Sequence, residues 1–213
     1  MIAITGASGL LGSFIVSKFN SQGEKVIGLT RHKDKAIKSH QHQKAIEWRE
    51  VNILDTISLT ESLKEVHTVI HSAALISFNS RRRNEIFEAN VTGTKNIVDC
   101  CLAAGVKKLI HISSVAALGR PKGVNTINEN SLWMNDKLSP DYALSKYQAE
   151  LEVYRGHEEG LRVSIINPSV ILAPSDWNFS SSQIFKYIWN ENSFYLGGFV
   201  NYVDARDVAS IAY

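Results

Sequence analysis

The chain has 213 residues, of which 44% are hydrophobic and 21% charged, with 13 Gly and 4 Pro. This composition excludes a disordered, collagen-like or disulfide-knot protein, and a chain of this length buries roughly 70% of its unfolded surface without needing a metal or disulfide. Lys and Arg number 23 against 21 Asp and Glu, a net charge of +2, which argues against nucleic acid as the main partner because that demands a basic face.

The run Met1 to Thr5 is short, apolar and ends at Gly6, the pattern of a strand buried on both faces. Leu10, Leu11, Phe14, Ile15 and Phe19 give a helical stripe from Gly9 to about Gln22, closed by Gly23. Val26 to Thr30 reads as a second buried strand, followed by a polar, Lys- and His-rich stretch of loop and helix to about residue 44. Further strands are expected at 46–51, 68–73, 107–113 and 161–167, and helices at 56–65, 84–104 and 141–159. Strand and helix alternate, and the strands are continuously apolar. The pattern predicts an α/β fold: a Rossmann-type doubly wound parallel sheet with helices on both faces. Residues 119–139 are polar, Asn-rich and aperiodic, which marks a functional loop.

Thr5-Gly6-Ala7-Ser8-Gly9-Leu10-Leu11-Gly12 joins the first strand to the first helix. Gly6 is expected to allow the sharp turn, Gly9 to let backbone approach a pyrophosphate, and Gly12 to let the helix pack closely. The free N–H groups and the helix dipole then favour the anion. The spacing is G-x-x-G-x-x-G, so the context of strand, loop and helix is needed to support a dinucleotide site. NAD selection usually places an acidic residue at the end of strand two, about 20 residues on. Here the sequence is Leu29-Thr30-Arg31-His32-Lys33. Arg31 is suited to adenine stacking and a 2′-phosphate, with Lys38 as a second cation, so NADP is favoured and NAD is the alternative.

Tyr142 and Lys146 stand four apart on one helix face, with Ser139-Pro140 read as N-cap and first-turn proline. A nearby ammonium is expected to lower the phenol's pKa and fit Tyr142 for proton exchange with a hydroxyl or carbonyl oxygen. Ser114, in the pair Ser113-Ser114 at a strand end, is placed to orient that oxygen.

Together these landmarks resemble the extended short-chain dehydrogenases/reductases of the NAD-dependent epimerase/dehydratase group, in the dihydroflavonol 4-reductase-like branch. The resemblance also rests on Asn52-Ile53-Leu54-Asp55, His71-Ser72-Ala73-Ala74, Asn90 to Asn96, Asn167-Pro168-Ser169-Val170 and Tyr202 to Ala209. It implies a catalytic triad of Ser114, Tyr142 and Lys146, with Lys146 also binding the nicotinamide ribose. It implies cofactor contacts at Gly6, Ser8, Gly9, Leu10, Leu11, Gly12, Arg31, Lys38, Asn52, Ile53, Ala73, Ala74 and Asn90. Tyr142 and Lys146 belong to the same set, as do Pro168, Ser169 and Val170, with the Val170 backbone near the carboxamide. Asn52 replaces the group's usual Asp, and Asn90 is expected to tie helix to strand. Family members often dimerise, here through helices 84–104 and 141–159. They usually continue for about a third more chain, so residues 1–174 read as the nucleotide-binding domain and 175–213 as the start of a truncated substrate lobe.

Other residues read as structural. His71 and His111 are expected to be satisfied core histidines bonded to backbone. His40 and His42 lack metal-ligand spacing, and no metal is expected. Trp177 and Trp189 are expected in the core, Trp133 and Met134 either touch substrate or staple the long loop, and Arg81-Arg82-Arg83 is a solvated run. Adjacent Cys100 and Cys101 are unsuited to pair and read as reduced thiols. No run reaches about 18 apolar residues, and residues 1–17 lack a basic leader start, so the expectation is a soluble, cytoplasmic protein. The expected reaction is NADP(H)-dependent reduction of a small-molecule carbonyl, or oxidation of a secondary alcohol. The alternatives are a nucleotide-sugar epimerase using bound NAD, and a non-catalytic NADP-sensing scaffold. Val115-Ala116 after Ser114 disfavours a dehydratase, which carries Asp-Glu there.

Overall fold

The computed structural model describes every residue except 40–45, 78, 120–125, 132, 134–139, 179, 195, 196 and 198. His40, His42, Met134, Ser139 and much of the long polar loop therefore lie outside the described residues. Six strands form one sheet: β1 Ile2–Thr5, β2 Val26–Thr30, β3 Ile46–Glu50, β4 Thr68–His71, β5 Lys108–Ile112 and β6 Arg162–Ile166. Their order is β3-β2-β1-β4-β5-β6, and every pairing is parallel. The order reverses between β1 and β4, which opens a crevice at the strands' carboxyl ends.

Alternation along the strands sorts side chains to two cores. Ile2, Ile4, Val26, Ile70, Ile110 and Ile112 face α1 (Leu10–Ser21), α2 (Lys33–Ser39) and α8 (Ala205–Ala212). Ala3, Ile27, Leu29, Val69 and Leu109 face α3 (Thr56–Ser62), α5 (Gly93–Ala103) and α6 (Asp141–Glu158). The period of two thus gives each face its own apolar layer, as a doubly covered parallel sheet requires. Cys100 and Cys101 are buried free thiols in the second layer.

Three parts of the chain depart from expectation. The helix expected over 84–104 is broken into α4 (Arg83–Phe87), a π turn over Glu88–Thr92, and α5, with a 3₁₀ turn over Ser80–Arg82 leading in. The wide turn holds Asn90 in the interior, and such turns recur at functional sites. Pro140 stands just before the first helical residue of α6, at the N-cap, so the helix has no side-chain cap and Asp141 leads it. Trp177 and Trp189 are exposed, not core. They cluster with Phe185 of α7 (Gln183–Trp189), a helix with no buried residue. A small parallel pair, β7 (Val170–Leu172) with β8 (Tyr202–Asp204), leads into α8, which packs in the first core against α1.

His71 is satisfied as expected, but by hydroxyls rather than backbone. The Thr94 hydroxyl donates to the Asn90 carbonyl at 2.6 Å, so its oxygen accepts from His71 Nε2 at 3.0 Å. Nδ1 then carries the lone pair and accepts from the Thr5 hydroxyl at 2.7 Å, while Thr5 Oγ1 accepts the Ala73 N–H at 3.2 Å. Each proton in the chain has one place to go.

A neutral His71 is thereby built in: burial foremost, and then Lys146, push its pKa from 6.5 down to about 3. The unfolded chain binds this proton below about pH 6.5 and the folded one does not, so stability falls as pH drops through that window. The His71 share is up to about 1.4 kcal/mol per pH unit. Urea unfolding of wild type and His71→Gln at about pH 5 and about pH 7 is expected to show a shallower pH dependence in the variant.

Candidate functional site

The crevice forms a cleft of about 610 Å³. Gly6, Ser8 and Gly9 line it from the loop after β1, and Arg31, His32 and Lys35 from the end of β2 and α2. Asn52 and Ile53 line it after β3, and Ala73, Ala74 and Leu75 after β4. The loop geometry leaves no room for side chains at two of its glycines. Gly6 has φ +66°, and a Cβ there would stand 2.8 Å from the Ala73 nitrogen. At Gly12 a Cβ would meet the Gly6 carbonyl oxygen at 2.0 Å, so this glycine packs helix against loop rather than helix against sheet. Leu10 and Leu11 belong to the first core, so a ligand would meet them through backbone. Gly9 caps α1 with no side-chain hydrogen bond, which leaves first-turn N–H groups for an anion. Loop, uncapped helix and basic far wall together fit a dinucleotide.

The cationic wall differs in one residue from expectation. Arg31 lines the cleft, but its companions are His32 and Lys35; exposed Lys38, nearly a turn further along α2, is not in the lining. The arginine run is exposed as expected, yet engaged. Arg82 lines the cleft and pairs with Glu85 at 2.8 Å, while Arg83 pairs with Asp141 at the start of α6.

Asn90 stands behind the cleft wall. Its amide accepts from Leu75 N at 2.7 Å, donates to Leu75 O at 3.0 Å and donates to Ser145 Oγ at 2.9 Å. Ser145 in turn donates to the Tyr142 carbonyl at 2.7 Å. One side chain thus fixes the cleft loop against the helix that bears Tyr142 and Lys146.

Ser114 and Tyr142 meet: their side chains are hydrogen-bonded. Ser114 Oγ also accepts from Ala116 N at 3.1 Å, and its carbonyl accepts from Asn167 Nδ2 at 3.1 Å. The same amide donates to buried Glu150 at 2.6 Å. Glu150 follows Lys146 by one helical turn, a spacing visible in the sequence; its link to Asn167 is not. Pro168 accepts from Val115 N at 3.1 Å, and Val170 N donates to Asn201 at 3.2 Å. Pro168, Ser169 and Val170 are not in the lining of the cleft.

Lys146 is fully buried, and its ammonium donates to the Ile112 carbonyl at 2.9 Å and to His111 Nε2 at 3.4 Å. Burial holds its pKa down at about 8, against the nearby Glu150 carboxylate, which raises it. The Tyr142 phenol is shifted upward by burial, partly opposed by the Ser114 hydrogen bond. This reverses the expected lowering by Lys146, whose ammonium is drawn toward β5 instead. Trp133 stacks on Tyr147 of α6, with centroids 4.5 Å apart, which fixes its ring against the helix.

A model of the NAD dependent epimerase/dehydratase family matches residues 2–211. The sterol demethylase protein B of Methylococcus capsulatus is 30% identical over 98% of this chain and 63% of that protein. Cinnamoyl-CoA reductase 1 of Oryza sativa subsp. japonica is 24% identical over 98% of this chain and 65% of that protein. Among solved structures, gox2253 superposes with a TM-score of 0.86 at 31% identity, covering 99% of this chain and 64% of that one. The chain thus spans less than two thirds of the length of each of these relatives. Among the described residues, no helix is long and apolar enough to cross a membrane.

Truncating Asn90 to Ala would remove the partner of the part-buried Leu75 N–H and C=O and the amide donor to buried Ser145. Urea unfolding of Asn90→Ala is expected to show a loss of about 2–4 kcal/mol, from the cost of unpaired buried groups.

Proposed function

Because the chain belongs to the NAD-dependent epimerase/dehydratase family of extended short-chain dehydrogenases/reductases, we propose that it is an NADP(H)-dependent reductase. Its reaction interconverts a carbonyl and a secondary alcohol of a small molecule. The observation behind this reading is the hydrogen bond between Ser114 and Tyr142 at the carboxyl end of the sheet, with Lys146 one helical turn on. Bound in the cleft, the cofactor supplies or accepts hydride. The residues of the chain do the rest. Tyr142, its phenol kept protonated at neutral pH by burial, donates its proton to the carbonyl oxygen as charge develops there. Ser114 donates a hydrogen bond to the same oxygen and holds it in register. Lys146 would bind the nicotinamide ribose, and its positive charge stabilises the Tyr142 phenolate that forms as the proton leaves.

Loop N–H groups at Gly6 to Gly12 hold the pyrophosphate, Asn52 and Ile53 flank the adenine, and Arg31 with Lys35 takes the 2′-phosphate. Val115 and Ala116, the two residues after Ser114, cannot move a proton, which disfavours water elimination. The outer face of α6 exposes Leu151 and Tyr154, and a homodimer through this face belongs to the same proposal.

The test is oxidation of NADPH followed across a panel of small carbonyl compounds. Tyr142→Phe is expected to lower turnover about 100- to 10,000-fold while leaving NADPH affinity within a few fold. Full activity in that variant would remove Tyr142 from the reaction, and protein that purifies with tightly held NAD would favour an epimerase.

Arg31→Ser is expected to weaken NADPH binding about 10- to 100-fold and to leave NADH binding nearly unchanged, since charge-assisted hydrogen bonds to the phosphate are lost. Fluorescence titration with both cofactors checks this.

A further inference from the structure

His111 has no part in the chemistry proposed above, yet it sits under the one buried ammonium described. It lies on β5 directly beside His71 of β4, ring centroids 5.3 Å apart, on the sheet face covered by α5 and α6. Its ring is completely buried. Nε2 is 3.4 Å from Lys146 Nζ, while Nδ1 has no hydrogen-bond partner among the described residues. An ammonium only donates, so Nε2 bears the lone pair and the ring proton sits on Nδ1. That places an unpaired N–H in the interior, a cost that an apolar ring of similar size would avoid. What the imidazole adds in return is an acceptor for Lys146.

We propose that His111 is a positioning residue: its neutral Nε2, together with the Ile112 carbonyl, fixes the Lys146 ammonium and keeps it charged in a fully buried site. Among the described residues, the charged and titratable groups around Lys146 are His111 on β5, His71 on β4, and Tyr142 and Glu150 on α6 itself. His71 is locked neutral by Thr5 and Thr94. The Glu150 carboxylate already accepts from Asn167. Burial, Lys146 and His71 all oppose a proton on His111, which therefore remains an acceptor. Two of the three ammonium N–H groups are committed to β5, which leaves one for a ligand or for Tyr142. The contact and its test do not rest on the reductase reading.

The experiment follows the Lys146 Nζ resonance against pH in the whole chain grown with isotopically labelled lysine, assigned by its loss in Lys146→Met. Wild type is expected to titrate near pH 8. His111→Phe, which removes the acceptor, is expected to lower the midpoint by about one pH unit, a tenfold weaker hold on the proton. His111→Gln, whose amide oxygen can accept, is expected to restore most of it. His111→Leu serves as the acceptor-free variant should Phe not fold. An unchanged midpoint in the acceptor-free variant, or a Gln variant shifted as far as Phe, overturns the proposal. NADPH affinity, measured on the same samples, separates the two readings. A shifted midpoint in a protein that binds no NADPH sustains His111 and sinks the cofactor assignment; tight NADPH binding with an unshifted midpoint does the reverse.

Discussion

A line of buried hydrogen bonds runs from Thr5 through His71 and Thr94 to the Asn90 carbonyl, and the Asn90 side chain continues it to Leu75 and Ser145. It begins next to the glycine loop and ends on the helix that bears Tyr142 and Lys146. Two regions far apart in sequence are thus held in one frame by groups that each have a single satisfying arrangement. A half-made network of this kind would cost more than an apolar core. The π turn at Glu88–Thr92 belongs to the same constraint, because it holds Asn90 in the interior between the cleft loop and α6.

Desolvation governs the chemistry beside that frame. The Tyr142 phenol is pushed upward and the Lys146 ammonium down to about 8, so both lean toward their neutral forms. A neutral phenol is a proton donor, which suits carbonyl reduction. The lysine retains its charge at neutral pH through Glu150, the Ile112 carbonyl and, in the proposal above, His111. Linkage gives the sign for stability. The folded lysine releases its proton near pH 8 and the unfolded one near 10.5, so the penalty for burying it fades as pH rises between those values.

Much of this was legible in the sequence because it depends on local spacing. Continuous apolar runs marked the strands, the glycine loop marked the first crossover, and Tyr142 with Lys146 needed only helical periodicity. Harder to read were contacts between residues distant along the chain. The Asn167 to Glu150 bond and the His111 to Lys146 bond are chosen by how β5, β6 and α6 pack. Phase along α2 decides that Lys35 and not Lys38 reaches the cleft. Trp177 and Trp189 misled for another reason: aromatic residues usually signal a core, but here Trp189, on a helix with no buried face, meets Trp177 from the segment before that helix.

The proposed reaction is hydride transfer to a carbonyl carbon under control of Ser114 and Tyr142. Incubating the protein with NADPH deuterated at its reactive hydrogen, together with small carbonyl compounds, tests it directly by mass spectrometry of the products. One deuterium is expected on the new carbinol carbon. Cofactor binding with no label transferred to any carbonyl would contradict it.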